Sequence, residues 1–248
     1  MDTAVKVGSR LLIGGGQSID QVESPYVFAS DDAGKTVRRV PLPAIDGRQP
    51  STPVGDFGVN SREVIAFGAA ATNAYDFHST GTIPFWRSAD GGVHWTSGSI
   101  TGMPPGTQVH SVLYASGHWS AMGGYAKAGA FYDSLPLVLT SQDGTHWTRT
   151  DSSAMGTGEI TAATVDLAGH PVLVGSAPPA QVQAEHSHSA VRFRLGRRRD
   201  HHGLATRRPR LQHAPSAAAT LADGRVLIAG NRDLWLSRSP RPGRGHES

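Results

Sequence analysis

Ser88-Ala-Asp90-Gly-Gly92-Val-His-Trp95 is the stretch on which the fold turns. It recurs as Ser30-Asp-Asp32-Ala-Gly34-Lys-Thr-Val37, with valine in the aromatic place, and one residue shorter as Ser141-Gln-Asp143-Gly-Thr-His-Trp147. Each copy follows an apolar run, YVFA, PFWR or LVLT, so each reads as a strand that ends at a serine and enters a tight acidic turn. The residue types fit that task. A short carboxylate accepts hydrogen bonds from nearby backbone N–H groups, glycine tolerates positive φ, and the indole packs its large ring beneath the turn.

Working outward, small turn pairs occur at Gly8-Ser9, Asn60-Ser61, Ser116-Gly117, Ala168-Gly169 and Asp223-Gly224, roughly 54 residues apart. Each lies between two short runs in which β-branched or aromatic residues alternate with small or polar ones, as in VHSVLYA and HWSAMGGYA, which is a hairpin signal. A hairpin, a polar loop, a third strand, an acidic turn and a fourth strand make a four-stranded unit. Helical periodicity with caps is scarce, so the expectation is an all-β chain: a β-propeller of four-stranded blades, about five units over 1–50, 51–106, 107–158, 159–214 and 215–248, the fourth disrupted and the last truncated. The competing fold is a β-sandwich.

The octapeptide matches S-x-D-x-G-x-x-W, and on Ser30, Asp32, Gly34, Ser88, Asp90, Gly92, Trp95, Ser141, Asp143 and Trp147 the chain resembles the sialidase-like BNR/Asp-box propellers. The resemblance covers residues 1 to 175 best. It implies that these boxes are structural and lie on the blade periphery, and that ligands are held on the opposite face. The SADGG and SQDGT turns lack the further alternating oxygen ligands of a calcium loop.

Composition narrows the classes. The chain has 248 residues and no cysteine, which excludes disulfides, thiolate metal ligands and a cysteine nucleophile. No window approaches a membrane span, and the start MDTAVKVGSR lacks a signal-peptide core; an extracellular or cell-envelope location is expected only with a signal upstream. The net charge of +3 averages an acidic body with a basic tail. Between Glu185 and His213 stand eight Arg and five His with one aromatic, Phe193, and no strand pair or box is legible there. A polyanion-binding arm would want interleaved aromatics, and a metal cluster on His186, His188, His201 and His202 would lack a preformed geometry. A disordered insertion or an out-of-frame stretch is the favoured reading.

The face opposite the boxes is where a ligand is expected. Its loops between second and third strands, GGQSIDQVES, AATNAYDFHSTG and AKAGAFYDS, supply Asp20 and Glu23, then Tyr75, Asp76 and His78, then Lys127, Tyr132 and Asp133. Arg48 joins them from a connection between units. A sialidase would need three convergent arginines, a Tyr–Glu pair and an acid/base Asp; IPFWR at 83–87 has the wrong order for the family's arginine element, and Glu is scarce. No G-x-S-x-G elbow is present. The expectation is a non-catalytic, monomeric scaffold for a glycan or protein ligand, with no cofactor, no metal, no nucleic-acid partner and catalytic residues unassigned. The alternative is an exo-acting glycoside hydrolase of sialidase type.

Overall fold

The hairpin turns close because the backbone there adopts positive φ, at Gly8 (61°), Ser61 (56°), Ser116 (52°), Gly169 (80°) and Gly224 (79°). The computed structural model describes residues 3–19, 22–72, 80–127, 130–177, 189–194, 215–230 and 234–237. Sheet one comprises β1 (Thr3–Val7), β2 (Arg10–Ile19), β3 (Val22–Ser30) and β4 (Arg38–Val40). Sheet two comprises β5 (Val54–Asn60), β6 (Glu63–Gly68), β7 (Gly81–Ser88) and β8 (Thr96–Met103). Sheet three comprises β9 (Gln108–Ala115), β10 (His118–Lys127), β11 (Ala130–Ser141) and β12 (Thr148–Arg149). Sheets four and five have three described strands each: β13 (Glu159–Val165), β14 (Pro171–Ala177) and β15 (Ser189–Arg194), then β16 (Pro215–Thr220), β17 (Val226–Gly230) and β18 (Leu234–Leu236). Every sheet is an antiparallel meander in chain order, and the only helical turn among the described residues is a single 3-10 turn at Ser153–Met155.

The sheets are the blades of a β-propeller. Their first strands, β1, β5, β9, β13 and β16, neighbour one another in sequence order and form the inner wall. Alternation gives every blade two apolar faces, and four clusters join consecutive sheets. Leu12, Val27 and Val40 meet Val64, Ala66 and Trp86; Ile65, Phe67 and Phe85 meet Trp119, Leu137 and Leu139. Leu113, Met122 and Val138 meet Ile160 and Leu173, and Val172 and Val174 meet Val226 and Ile228.

The three acidic turns share one geometry. Ser30, Ser88 and Ser141 hydroxyls donate to Asp32 (2.8 Å), Asp90 (2.8 Å) and Asp143 (3.1 Å), and accept from the N–H of Gly34, Gly92 and Gly144. Trp95 and Trp147 donate Nε1–H to the carbonyls of Gly92 and Gly144. The second and third turns also reach the preceding blade, since an added Cβ would fall 2.6 Å from Leu12 at Gly92 and 2.5 Å from Ile65 at Gly144. Trp147 wedges edge-on against Phe67, ring centroids 4.8 Å apart. Val37, in the aromatic place of the first turn, is 55% exposed and anchors nothing comparable.

Two expectations require correction. Ser189–Arg194, inside the stretch read as illegible, pairs with β14 from Val172↔Arg194 to Ala177↔Ser189. Its alternation SAVRFR suffices for a strand because the partner edge supplies the ladder and asks little of the sequence. The rest of the basic segment lies outside the described residues. The second correction concerns Glu23, Tyr132 and Asp133, which lie on strands rather than loops. The β2–β3 ladder continues through Ser18↔Glu23 to Ile19↔Val22, and the β10–β11 ladder through Ala126↔Ser134 to a register shift at Lys127, so backbone pairing runs out to near the hairpin tips.

Candidate functional site

The face opposite the acidic turns carries the starts of the inner strands, and the same irregularity recurs there. Register shifts fall between Val54 and Asp56 in β5, at Val109–Ser111 in β9, between Ile160 and Ala162 in β13 and between Pro215 and Ala217 in β16. Counted from the hairpin turns, the extra residues are Gly55, His110, Thr161 and Ser216, one equivalent position in four blades. A bulge turns a strand and re-aims its side chains, which is how a regular ladder delivers polar groups to the mouth of a channel. Close packing dictates the partners: a Cβ at Gly123 would fall 2.0 Å from the Gln108 carbonyl oxygen, so only glycine lies opposite the bulge of β9.

Asp56 follows the first bulge. Its Oδ1 accepts from the Thr3 hydroxyl of sheet one (2.9 Å) and its Oδ2 from the Val112 N–H of sheet three (2.8 Å), so one carboxylate ties three consecutive inner strands. Burial pushes the carboxyl up to about 6, against the pull of hydrogen bonds from the Val112 and Phe57 N–H groups and from Thr3. One blade on, His110 Nε2 stands 3.6 Å from Glu159 Oε2 across the junction of sheets three and four. That nitrogen is buried and has no hydrogen-bond partner among the described atoms.

At the rim of sheet one, Ser24, Pro25, Arg39, Val40, Pro41, Leu42 and Gln49 line an open groove of about 430 Å³. Its floor is apolar, and Ser24, Arg39 and Gln49 bring polar side chains to it. The predicted residues fall around this face unevenly. Glu23 is exposed at the start of β3, beside the groove. Arg48 is exposed in the connection from sheet one to sheet two, next to Gln49, in a tight turn whose backbone pairs Ile45 with Arg48. Lys127 is exposed at the end of β10. Tyr132 and Asp133 occupy the start of β11, with side chains outside the described residues, as Asp20, Tyr75, Asp76 and His78 are altogether.

Sequence reasoning missed Asp56, His110 and Glu159. The available signal was a carboxylate in the otherwise apolar string VGDFGV, where a charged residue on an inward-facing strand asks for a partner. On the opposite face two arginines are paired: Arg10 donates to Asp31 (2.6 Å) and Arg87 to Glu63 (2.6 Å). Arg149 sits 5.8 Å from the centre of the Tyr125 ring. Among the described residues no group of three His, Asp or Glu could hold a metal ion, and no helix is long and apolar enough to cross a membrane.

Neither a protein-family model nor a curated protein matches the chain. Solved structures do. A Penicillium chrysogenum α-L-arabinanase complexed with arabinobiose aligns at TM-score 0.60 and 12% identity over 95% of this chain and 76% of the enzyme. The GH93 α-L-arabinofuranosidase of Fusarium graminearum aligns at 0.58 and 9% over 95% and 76%. The β-propeller domain of the Trilobed protease from Pyrococcus furiosus, described as having an open velcro topology, aligns at 0.55 and 9% over 97% and 67%. At these identities the likeness is one of fold: the chain is a β-propeller that shares its architecture with glycoside hydrolases.

Proposed function

We propose that this chain is a glycan-binding propeller of the BNR/Asp-box type that holds its ligand on the groove and inner-strand face without cleaving it. The observation that carries the reading is the disposition of charge on that face. Hydrolysis of an anionic sugar needs cations converging on the substrate carboxylate beside a poised pair of acids. Among the described residues, Arg39 lines the groove at the edge of sheet one, Arg48 is exposed in the connection that follows, and Asp56 is occupied in joining three blades. What the edge offers is an apolar floor with a few hydrogen-bonding groups, which suits a sugar ring presenting C–H on one side and hydroxyls on the other. The enzymes among the solved structures of like fold make a saccharide the first ligand class to try.

A glycan array followed by calorimetry tests the reading. Binding by the full chain should weaken about tenfold in Arg39→Ala or Arg48→Ala, the loss of one or two hydrogen bonds to a charged donor, with melting temperature unchanged. Turnover of fluorogenic arabinosides or sialosides that disappears in Asp56→Asn would install the hydrolase reading instead. One observation favours that alternative: burial brings the Asp56 carboxyl to about 6, the range of a general acid at neutral pH.

A further inference from the structure

The chain has four Asp-Gly bonds, Asp46-Gly47, Asp90-Gly91, Asp143-Gly144 and Asp223-Gly224. Glycine has no side chain to keep its nitrogen away from the preceding carboxyl, so such a bond isomerises wherever that nitrogen and that carboxyl are free to meet. Three of the four are tied down at both reacting groups. The Gly91 N–H donates to the Arg62 carbonyl (2.7 Å), the Gly144 N–H to the Ser141 hydroxyl (2.9 Å) and the Gly224 N–H to the Leu221 carbonyl (2.9 Å). The carboxylates are held as well. Asp90 accepts from Ser88 and the Val93 and His94 N–H groups, Asp143 from Ser141 and the Thr145 and His146 N–H groups, and Asp223 from the Arg225 N–H and Nε. Bonds of this kind favour the charged form and keep all three carboxyls below their ordinary range, Asp90 against the opposing push of burial. The protonated acid, the form that sheds an oxygen as water, is scarce there.

Asp46-Gly47 differs on each count. It is the tip of the turn between sheets one and two, with φ of 50° at Asp46 and 76° at Gly47, and both residues are exposed. The two backbone bonds that close the turn join Ile45 and Arg48 (2.9 and 3.0 Å) and leave out the tip. Among the described residues neither the Asp46 carboxylate nor the Gly47 N–H has a hydrogen-bond partner, and no atom lies within 4 Å of where a Cβ on Gly47 would stand.

We propose that Asp46-Gly47 is a site of spontaneous aspartate isomerisation, which lengthens the backbone beside the groove. The Gly47 nitrogen attacks the Asp46 Cγ; a C–N bond forms, the C–O bond to the carboxyl hydroxyl breaks, and the hydroxyl leaves with the amide proton as water. Water then opens the five-membered imide. Addition at Cγ restores aspartate, and addition at the main-chain carbonyl gives isoaspartate, whose chain runs through Cβ and Cγ. The extra atom is taken up beyond Ala44, because the Pro43 carbonyl accepts from Trp86 Nε1 and the Ala44 carbonyl from Ser97. Arg48 and Gln49 are the residues it displaces. This chemistry does not depend on what the groove binds.

Ageing the full chain at neutral pH and body temperature, folded or in urea, and digesting it with trypsin tests the proposal. Residues 40–48 leave as one peptide, VPLPAIDGR, and isomerisation keeps its mass while splitting its chromatographic peak. In the folded chain the new peak should accept a methyl group from an isoaspartyl methyltransferase and should grow at least about tenfold faster than its counterparts at the other three bonds, the factor that one protecting hydrogen bond supplies. In urea all four should isomerise alike. Asp46→Glu, whose imide needs a six-membered ring, should give a single peak, and Asp46→Asn, which reaches the same imide by losing ammonia, should split sooner. A folded chain whose 40–48 peptide stays single while the urea sample isomerises, or one that isomerises equally at all four bonds, would overturn the proposal.

Discussion

Asp56 shows how one carboxylate serves structure while its proton affinity becomes a reporter. Its folded-state value of about 6 lies above the ordinary 3.8, so the folded chain binds that proton more tightly than the unfolded chain. The contribution is full below about pH 3.8 and is lost as pH rises through about 6, and amounts to at most about 3 kcal/mol. The turn aspartates oppose it. Hydrogen bonds from the Thr36 N–H and hydroxyl and from Ser30 bring Asp32 down to about 2. Burial alone would raise Asp90, but the His94 N–H and ring, Ser88 and the Val93 N–H outweigh it and hold that carboxyl low; Asp143 is held low by the His146 N–H and ring, the Thr145 N–H and Ser141. These contributions are present above pH 3.8 and vanish as pH falls through the lowered values. Thermal stability should therefore peak between about pH 4 and 5, and Asp56→Asn should remove the decline from pH 5 to 7. Melting temperatures across that range check it; an unchanged slope in the variant would assign the decline to other groups.

At the scale of the element, the acidic turn works as a clasp between blades. Gly144 has φ of 71° and its would-be Cβ meets Ile65 of the preceding sheet, so Gly144→Ala combines backbone strain with overpacking and should cost about 2–3 kcal/mol. Gly169→Ala is the comparison: φ is 80° but nothing lies within 4 Å, and about 1 kcal/mol is expected. Urea titrations of the two separate strain from crowding. Trp147→Ala removes the ring that stands edge-on to Phe67 and should cost about 3 kcal/mol, whereas Val37→Ala at the equivalent place of the first turn should change stability by less than about 0.5 kcal/mol.

For the whole molecule, each blade meets only its neighbours, so stability is a sum of blades and junctions and is highest where a blade has two covered faces. Amide exchange should be slowest in β6, β7, β10 and β11 and fastest in β1 and β18. Deleting residues 185–213 removes β15 and should loosen sheets four and five. The near-ultraviolet dichroism of Trp86, two blades away in sheet two, and of Trp119, on the side of sheet three packed against sheet two, should stay as it is. Loss of that signal would mean that the blades unfold together.

The sequence by itself determined the strand–turn units, because turn chemistry and two-residue alternation are local: Gly8-Ser9 closes a hairpin wherever it stands, and SADGGVHW makes its own hydrogen bonds. It assigned the connections between second and third strands to one end of each blade, since strand order decides which turns share an end, though Glu23, read there as a loop residue, lies on β3. Only the tertiary structure decided the rest. Asp56 matters because Thr3, fifty-three residues before it, and Val112, fifty-six after it, converge on its two oxygens. His110 and Glu159 meet across a junction that no local spacing announces, and the strand Ser189–Arg194 exists because β14 offers an edge to pair with. Register shifts in the inner strands likewise follow from how closely neighbouring backbones approach, as Gly123 does Gln108, and an approach of that kind is set by packing rather than by the residues alone.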